Sequence, residues 1–161
     1  MITNSIGAVL RGQGERELLS VSAKASVSEA VSIMRKHSAG SVVISDDEGR
    51  VEGIFTERDL MCRVVDEGRD PRSTPVGEVM TRGVRRVQAS DTVEEALRLL
   101  VQHHYRHLLV EEGMQVVGLV SIRDLMTWVV LPDEPIAHEG RPGVIKARTE
   151  EAIRTLAGPR G

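Results

Sequence analysis

Apolar side chains recur with helical spacing in two stretches of the chain. They occupy positions 27, 30, 31 and 34 in the first stretch and positions 93, 96, 97 and 100 in the second. Because residues at i, i+3, i+4 and i+7 share one face of an α-helix, both stretches predict amphipathic helices. Each helix is preceded by a capping box, Ser26 with Glu29 and Thr92 with Glu95, which predicts where the helix starts.

Each predicted helix is followed by two short apolar segments with a polar turn between them. The segments are residues 41–44 and 51–55 after the first helix, and 107–110 and 116–120 after the second. Apolar runs of this length, joined by turns that contain Gly49 or Gly113, predict β-hairpins. Further strands are predicted before the helices, at residues 19–21 and 84–87. Second helices are expected to open near Asp59 and Asp124.

The pattern occurs twice because the chain contains a tandem repeat. Residues 26–31 (SVSEAV) align with residues 92–97 (TVEEAL), and residues 53–61 (GIFTERDLM) align with residues 118–126 (GLVSIRDLM). Two copies of a unit ordered strand, helix, strand, strand, helix predict an α+β fold. The predicted ranges are 1–67 for the first repeat, 68–75 for a Gly/Pro-containing linker, 76–131 for the second repeat and 132–161 for a tail with a helix at 144–157.

Composition narrows the class of protein. The 161 residues carry a net charge of −3. Because no apolar run reaches the roughly 20 residues of a membrane helix and no signal-peptide layout is present, we expect a cytoplasmic protein that does not bind membranes. Slight acidity and only three aromatic residues argue against nucleic-acid binding. Cys62 has no partner for a disulfide and is expected to be buried, as are most methionines.

The two heptads GIFTERD (53–59) and GLVSIRD (118–124) resemble the signature of the cystathionine-β-synthase (CBS) domain family. The resemblance covers residues 6–131. The chain is similar to short stand-alone bacterial proteins that consist of a CBS pair, also called a Bateman module. It implies two βαββα repeats packed sheet to sheet with pseudo-twofold symmetry around two clefts, and a homodimer. In that family the clefts bind AMP, ADP, ATP, NAD(H) or S-adenosylmethionine, and no further cofactor is required.

The residue types of the heptads suit a nucleotide. Gly53 and Gly118 have no Cβ, so a ligand can approach the backbone closely. Thr56 and Ser121 come where a helix begins, and there hydroxyl and N–H groups can bind a phosphate.

Three residues further on, Asp59 and Asp124 can accept hydrogen bonds from both hydroxyls of a ribose. The same spacing also forms a capping box with Thr56 or Ser121, so a purely structural role is the alternative. Arg58 and Arg123 favour the ligand-binding role over the structural one. An arginine in the first turn of a helix opposes the helix dipole, so capping alone does not explain its presence.

Other candidate residues lie outside the two motifs. Apolar side chains expected to contact the adenine are Val21, Ile54, Val87 and Leu119. Arg106 and His107 stand where the first repeat has Gly40 and Ser41. The resemblance implies that these positions reach the phosphates of a bound nucleotide. Arg106 and His107 would then supply charge in one cleft, whereas Gly40 and Ser41 would supply room or backbone contacts in the other, so the two clefts are expected to differ in ligand or affinity. His107 with His103 and His104 also suggests a metal, but this spacing across a helix end need not bring the rings together.

The expected function is therefore that of a sensor. No nucleophile with a base and no Walker loop is present, so an enzyme is not expected. The module would bind an adenine nucleotide and pass a conformational signal to an effector protein in trans. The alternative is a ligand-free interaction or scaffold module that uses the dimer surface or the helix at 144–157. A nucleic-acid-binding regulator is a third, weaker candidate.

Overall fold

The repeat seen in the sequence forms two similar structural units in the computed structural model, which describes residues 4–12 and 18–131. The first part of the chain contains α1 (Ile6–Gly12), β1 (Ser20–Ser22), α2 (Val27–Lys36), β2 (Ser41–Ser45), β3 (Val51–Thr56) and α3 (Glu57–Asp59), which continues as a π-helical segment (Leu60–Val65). The second part contains α4 (Val76–Val79), β4 (Thr81–Arg82), β5 (Arg86–Gln88), α5 (Val93–Gln102), β6 (His107–Glu112), β7 (Gln115–Ser121) and α6 (Ile122–Val130). The helix expected at 144–157 lies outside the described residues.

Helices α2 and α5 begin at the predicted capping boxes. The Ser26 N–H donates to the Glu29 carboxylate at 2.7 Å, and the Thr92 N–H donates to the Glu95 carboxylate at 3.0 Å. The buried residues are Val27, Ala30 and Met34 on α2, and Val93, Ala96 and Leu100 on α5. Local signals in the sequence are therefore sufficient to predict both helices, because the caps and the apolar faces lie within the helices themselves.

The strands form two sheets, in which β1-β2-β3 and β5-β6-β7 have the same connectivity and β4 is an additional strand of the first sheet. In the first sheet, the order is β1-β2-β3-β4, with β1 parallel to β2 and the other neighbours antiparallel. In the second sheet, the order is β5-β6-β7, with β5 parallel to β6 and β7 antiparallel to it. The register shifts between Ile44 and Ser45, and again between Val110 and Glu111. Both hairpins thus have a register shift at the equivalent position of the repeat.

The two sheets pack against each other through a small apolar cluster. Val43 and Ile54 from the first sheet meet Leu109 from the second, and Leu119 packs against them. Each unit also has a larger core of its own, around Phe55 in the first and Leu108 in the second. The expected α+β architecture with sheet-to-sheet packing is confirmed.

The short helices α1 and α4, which precede the first and second repeat in the sequence, each pack against the other repeat. Ile6 and Val9 of α1 belong to the core of the second unit, and Val76 and Val79 of α4 belong to the core of the first. Backbone hydrogen bonds fix both helices: the Gly7 N–H donates to Ala89 O at 2.9 Å, and the Gly77 N–H donates to Ala23 O at 3.0 Å. Packing therefore joins 76–82 to the first repeat and 6–12 to the second.

Several apolar side chains expected in the core lie on the surface. Met61, Met114 and Met126 are exposed, and so is Cys62. Met34 and Met80 are buried, as expected. Within 4–12 and 18–131, no helix is both long and apolar enough to cross a membrane.

Candidate functional site

Both heptads open into one cavity, whose volume is about 640 Å³. Strand β3 ends at Thr56 and strand β7 ends at Ser121, and both residues line the cavity with Asp59 and Asp124. The sheets face each other, so the ends of these two strands share a space. The two heptads therefore lie on the wall of one shared cavity.

In the first repeat, the start of α3 is a complete capping box. The Asp59 N–H donates to Thr56 Oγ1 at 3.2 Å, and Asp59 Oδ2 accepts from both the N–H and the hydroxyl of Thr56 at 2.9 Å. The Glu57 N–H donates to Gly40 O at 3.1 Å. The backbone donors of Glu57 and Asp59 and the hydroxyl of Thr56, expected to bind a phosphate, therefore already have partners.

The second carboxylate oxygen of Asp59 also has partners. Thr81 Oγ1 donates to Asp59 Oδ1 at 2.8 Å, and Arg63 Nη1 lies 3.5 Å from the same oxygen. Arg63 also donates to the backbone carbonyls of Val79 and Met80. Asp59 is only 5% exposed and ties α3 to β4, so its surroundings are those of a structural residue.

The second repeat has the same capping box in a different setting. Asp124 Oδ2 accepts from the N–H and the hydroxyl of Ser121, both at 2.7 Å, and the Ile122 N–H donates to Arg106 O at 3.0 Å. Asp124 is less buried than Asp59. The position equivalent to Arg63 is Trp128, whose indole N–H is buried without a partner among the residues that the structure describes.

His107 lies on the wall of the cavity that both carboxylates line. Burial lowers the pKa of its imidazole, although the charge of Asp124 acts in the opposite direction. The charge of Arg106 lowers the pKa further, and Asp59 raises it. A neutral imidazole can accept a hydrogen bond as well as donate one.

Five arginines line the cavity, and the sequence predicted three of them. The lining arginines are Arg58, Arg82, Arg85, Arg106 and Arg123. Arg82 pairs with Glu52 at 3.4 Å, whereas the other four form no salt bridge within the described part of the chain. The sequence indicates a solvated strand face for the cluster of Arg82, Arg85 and Arg86, with one or two of the three as weaker candidates to line a cleft, and Arg85 is one that does. It immediately precedes β5 just as Arg106 precedes β6, and this shared position is the signal that would have identified it.

Of the predicted apolar site residues, some line the cavity and others lie in the hydrophobic cores. Ile54, Leu119 and Gly118 line the cavity with the two heptads. Val21 and Val87, expected to contact the adenine, lie in the hydrophobic cores of the first and second unit. They alternate with exposed neighbours along β1 and β5, so their side chains face the helices and not the cavity.

The glycines of the heptads make room for protein, not for a ligand. A Cβ at Gly53 would lie 2.4 Å from Thr81 O, because β4 pairs with β3 at this point. A Cβ at Gly118 would lie 2.6 Å from Leu10 Cδ1 on α1. The close approach that these glycines permit is therefore that of the segments before each repeat.

The histidines at the end of α5 have different surroundings. The ring of His103 stacks on Tyr105 with centroids 5.4 Å apart. His104 has a positive φ of 55°, and the equivalent Ser38 has a φ of 50°. Across 4–12 and 18–131, no group of three or more His, Cys, Asp or Glu side chains is arranged to hold a metal.

Similar proteins of known sequence share the repeat. Arabinose 5-phosphate isomerase KdsD of Yersinia pestis is 39% identical over 110 residues, which are 68% of this chain and 33% of the isomerase. The uncharacterized protein MK0525 of Methanopyrus kandleri is 32% identical over 123 residues, 76% of this chain and 61% of that protein. The chain thus spans about a third of the isomerase and under two thirds of MK0525. The CBS domain-containing protein YhcV of Bacillus subtilis is 32% identical over 109 residues, 68% of this chain and 76% of YhcV.

Solved structures give the same result. The CBS-domain containing protein ATU1752 from Agrobacterium tumefaciens matches with a TM-score of 0.71 and 31% identity, over 78% of this chain and 93% of that one. A putative signal-transduction protein with CBS domains from Burkholderia ambifaria matches with a TM-score of 0.73 and 29% identity, over 84% and 100%. The model of the CBS domain matches residues 15–66 and again residues 76–131. With two CBS domains in tandem, this chain belongs to the CBS-domain family.

Proposed function

We propose that the chain is a regulatory module that binds an adenine nucleotide between its two CBS domains and passes the resulting change of shape to a partner protein. The observation that carries this proposal is the single cavity with both heptads on its wall and four arginines that lack salt bridges within the described residues. Its volume of about 640 Å³ is in the usual range for small-molecule sites. Unneutralised arginines facing a cavity favour an anionic ligand.

A solved relative supports the class of ligand. The CBS domain protein PAE2072 from Pyrobaculum aerophilum was solved in complex with AMP, and it matches this chain with a TM-score of 0.66 and 24% identity over 74% of this chain and 88% of that one. At this identity the match concerns the fold. The candidates for this chain are AMP, ADP, ATP, NAD(H) and S-adenosylmethionine.

The helices that begin at the cavity provide a route for the signal. Residues 56–59 line the cavity and continue into the π-helical segment, where Met61 and Val65 are 61% and 69% exposed. Residues 121–124 continue in the same way into α6, where Met126 and Val130 are about half exposed. A ligand that binds one orientation of these helices better than another would shift the population of that orientation. The exposed apolar side chains would then move with it.

Calorimetric titration tests the proposal. The native chain is expected to bind at least one of the five candidate compounds, with a rise in melting temperature. Ala39→Trp, which places a large side chain on the cavity wall, is expected to weaken this binding. Val101→Trp, on the exposed surface of α5, is a matched control. If none of the five compounds at millimolar concentration gives a heat of binding or a thermal shift, the sensor function is excluded.

The exposed apolar side chains favour a second candidate, an interaction module that works without a ligand. Met61 and Val65 are equivalent by the repeat to Met126 and Val130, and pairs spaced i, i+4 form a continuous stripe on each helix. Such stripes suit a homodimer or an effector protein. A chain that binds none of the five compounds but still self-associates through these stripes would support this candidate.

A further inference from the structure

The two ends of the cavity wall differ in charge. Because β5 is parallel to β6, the two strands start at the same edge of the second sheet, and the antiparallel β7 ends there. Arg85 directly precedes β5, Arg106 directly precedes β6, and Arg123 lies in the first turn after β7. We call these three residues the arginine edge. All three are exposed and line the cavity, without a salt bridge inside 4–12 and 18–131.

The equivalent edge of the first sheet has a different composition. Leu19 takes the place of Arg85, and Gly40 takes the place of Arg106. Arg58 is the only counterpart of the arginine edge there, and Glu57 replaces the apolar Ile122 beside it. The Glu57 carboxylate lies over Gly40, 3.3 Å from the position that a Cβ would take. The first edge is therefore close to neutral and partly apolar.

Like charges at the arginine edge repel each other unless an anion lies among them. The planar guanidinium group binds phosphate oxygens through two parallel hydrogen bonds, so several arginines can share a phosphate chain. A phosphate monoester carries roughly −1.5 to −2 charges at pH 7. In a chain whose net charge is −3, this concentration of positive charge selects where an anion binds.

We propose that the ligand binds in one orientation, with its phosphate groups against Arg85, Arg106 and Arg123 and its uncharged part toward Leu19 and Gly40. This inference rests on the proposed function and narrows it, because it assigns a phosphate-bearing ligand. S-adenosylmethionine has no phosphate and carries a positive sulfonium, so the arginine edge disfavours it. The pseudo-symmetric site thus has two unequal halves.

Titrations with ATP, adenosine and inorganic tripolyphosphate at low, constant ionic strength test the orientation. Arg85→Ala, Arg106→Ala and Arg123→Ala are each expected to weaken ATP binding roughly ten- to a hundredfold, the loss typical of a hydrogen bond to a charged group. Adenosine affinity is expected to stay the same. Arg58→Ala, at the symmetric position, is expected to weaken ATP binding less than Arg123→Ala does. Arg98→Ala, on the outer surface of α5, is a control for the general loss of one charge.

Each outcome has a distinct meaning. Equal losses for Arg58→Ala and Arg123→Ala, or an equal loss for adenosine and ATP, would overturn the orientation. If nucleotides bind but the three variants leave their affinity unchanged, the inference fails and the proposed function stands. If tripolyphosphate binds through the three arginines but no adenine compound binds, the proposed function fails and the anion site stands.

Discussion

Asp59 and Asp124 occupy equivalent positions of the repeat but have different surroundings. Each carboxylate accepts two hydrogen bonds from the residue that caps its helix. Asp59 in addition accepts from Thr81 and lies near Arg63, and it is almost completely buried. Removing a buried, hydrogen-bonded carboxylate leaves its partners unsatisfied, which costs more than losing the helix cap alone.

Asp59→Ala should therefore destabilise the protein by more than the loss of a helix cap alone. We expect a loss of about 2–4 kcal/mol for Asp59→Ala, from the cap and from the unsatisfied Thr81 and Arg63, as measured by urea unfolding. Thr81→Val should account for about 1–2 kcal/mol of this, because it removes one hydrogen bond to the carboxylate. If Thr81→Val leaves the free energy of unfolding unchanged, the hydrogen bond from Thr81 to Oδ1 contributes nothing to stability.

The sequence predicted the local part of this site but not its long-range part. The pairs of Thr56 with Asp59 and of Ser121 with Asp124 are three residues apart, so their geometry follows from the helix start alone. Thr81 is 22 residues from Asp59 and reaches it only because β4 joins the first sheet. A strand of two residues carries too little periodicity to be recognised in a sequence. For the same reason, the sequence did not show that Gly53 is a glycine because β4 pairs closely with β3 at this position.

The short helices α1 and α4 make the two units dependent on each other. Both are too short to show which core they join, and the repeat alignment places each beside the unit that follows it. In the structure, α4 packs onto the first unit and α1 onto the second. Two isolated β-bridges show the same exchange of helices between the units. One joins Ser5, before α1, to Thr92, and the other joins Pro75, before α4, to Ser26.

Val9→Ala and Val79→Ala form a matched pair for this exchange. Both valines are fully buried, and each substitution should cost about 1.5–3 kcal/mol. Hydrogen exchange followed by mass spectrometry should show faster exchange in residues 86–130 for Val9→Ala, and in residues 20–65 for Val79→Ala. The opposite pattern would mean that each helix stabilises the repeat beside it in the sequence.

On the scale of the whole molecule, two pairs of exposed apolar side chains form apolar stripes, one on the π-helical segment and one on α6. Met61 and Val65 on one helix, and Met126 and Val130 on the other, expose a large part of their area to solvent. Paired apolar stripes of this kind typically mark protein interfaces. The sequence assigned these methionines to the core, because the spacing of an apolar stripe does not reveal whether it faces the same chain or another one.

We expect the chain to form a homodimer through these stripes. Val65→Glu combined with Val130→Glu should shift the mass measured by sedimentation equilibrium from that of a dimer toward that of a monomer, since burying carboxylates at an interface is costly. Met114→Glu, in an exposed hairpin turn, should leave the mass unchanged. A monomeric native chain, or a dimer that tolerates both glutamates, would show that the stripes serve another partner.

The position of both heptads on one shared cavity has a consequence for the shape of a dose–response curve. If one ligand spans the cavity in the proposed orientation, from the arginine edge to Leu19 and Gly40, a single chain is expected to bind one nucleotide and to titrate with a Hill coefficient of one. Steeper, switch-like sensing then requires coupling between the cavities of two chains. Under the proposed orientation, duplication of the domain would have given the chain a polarity, with one end of the cavity specialised for charge.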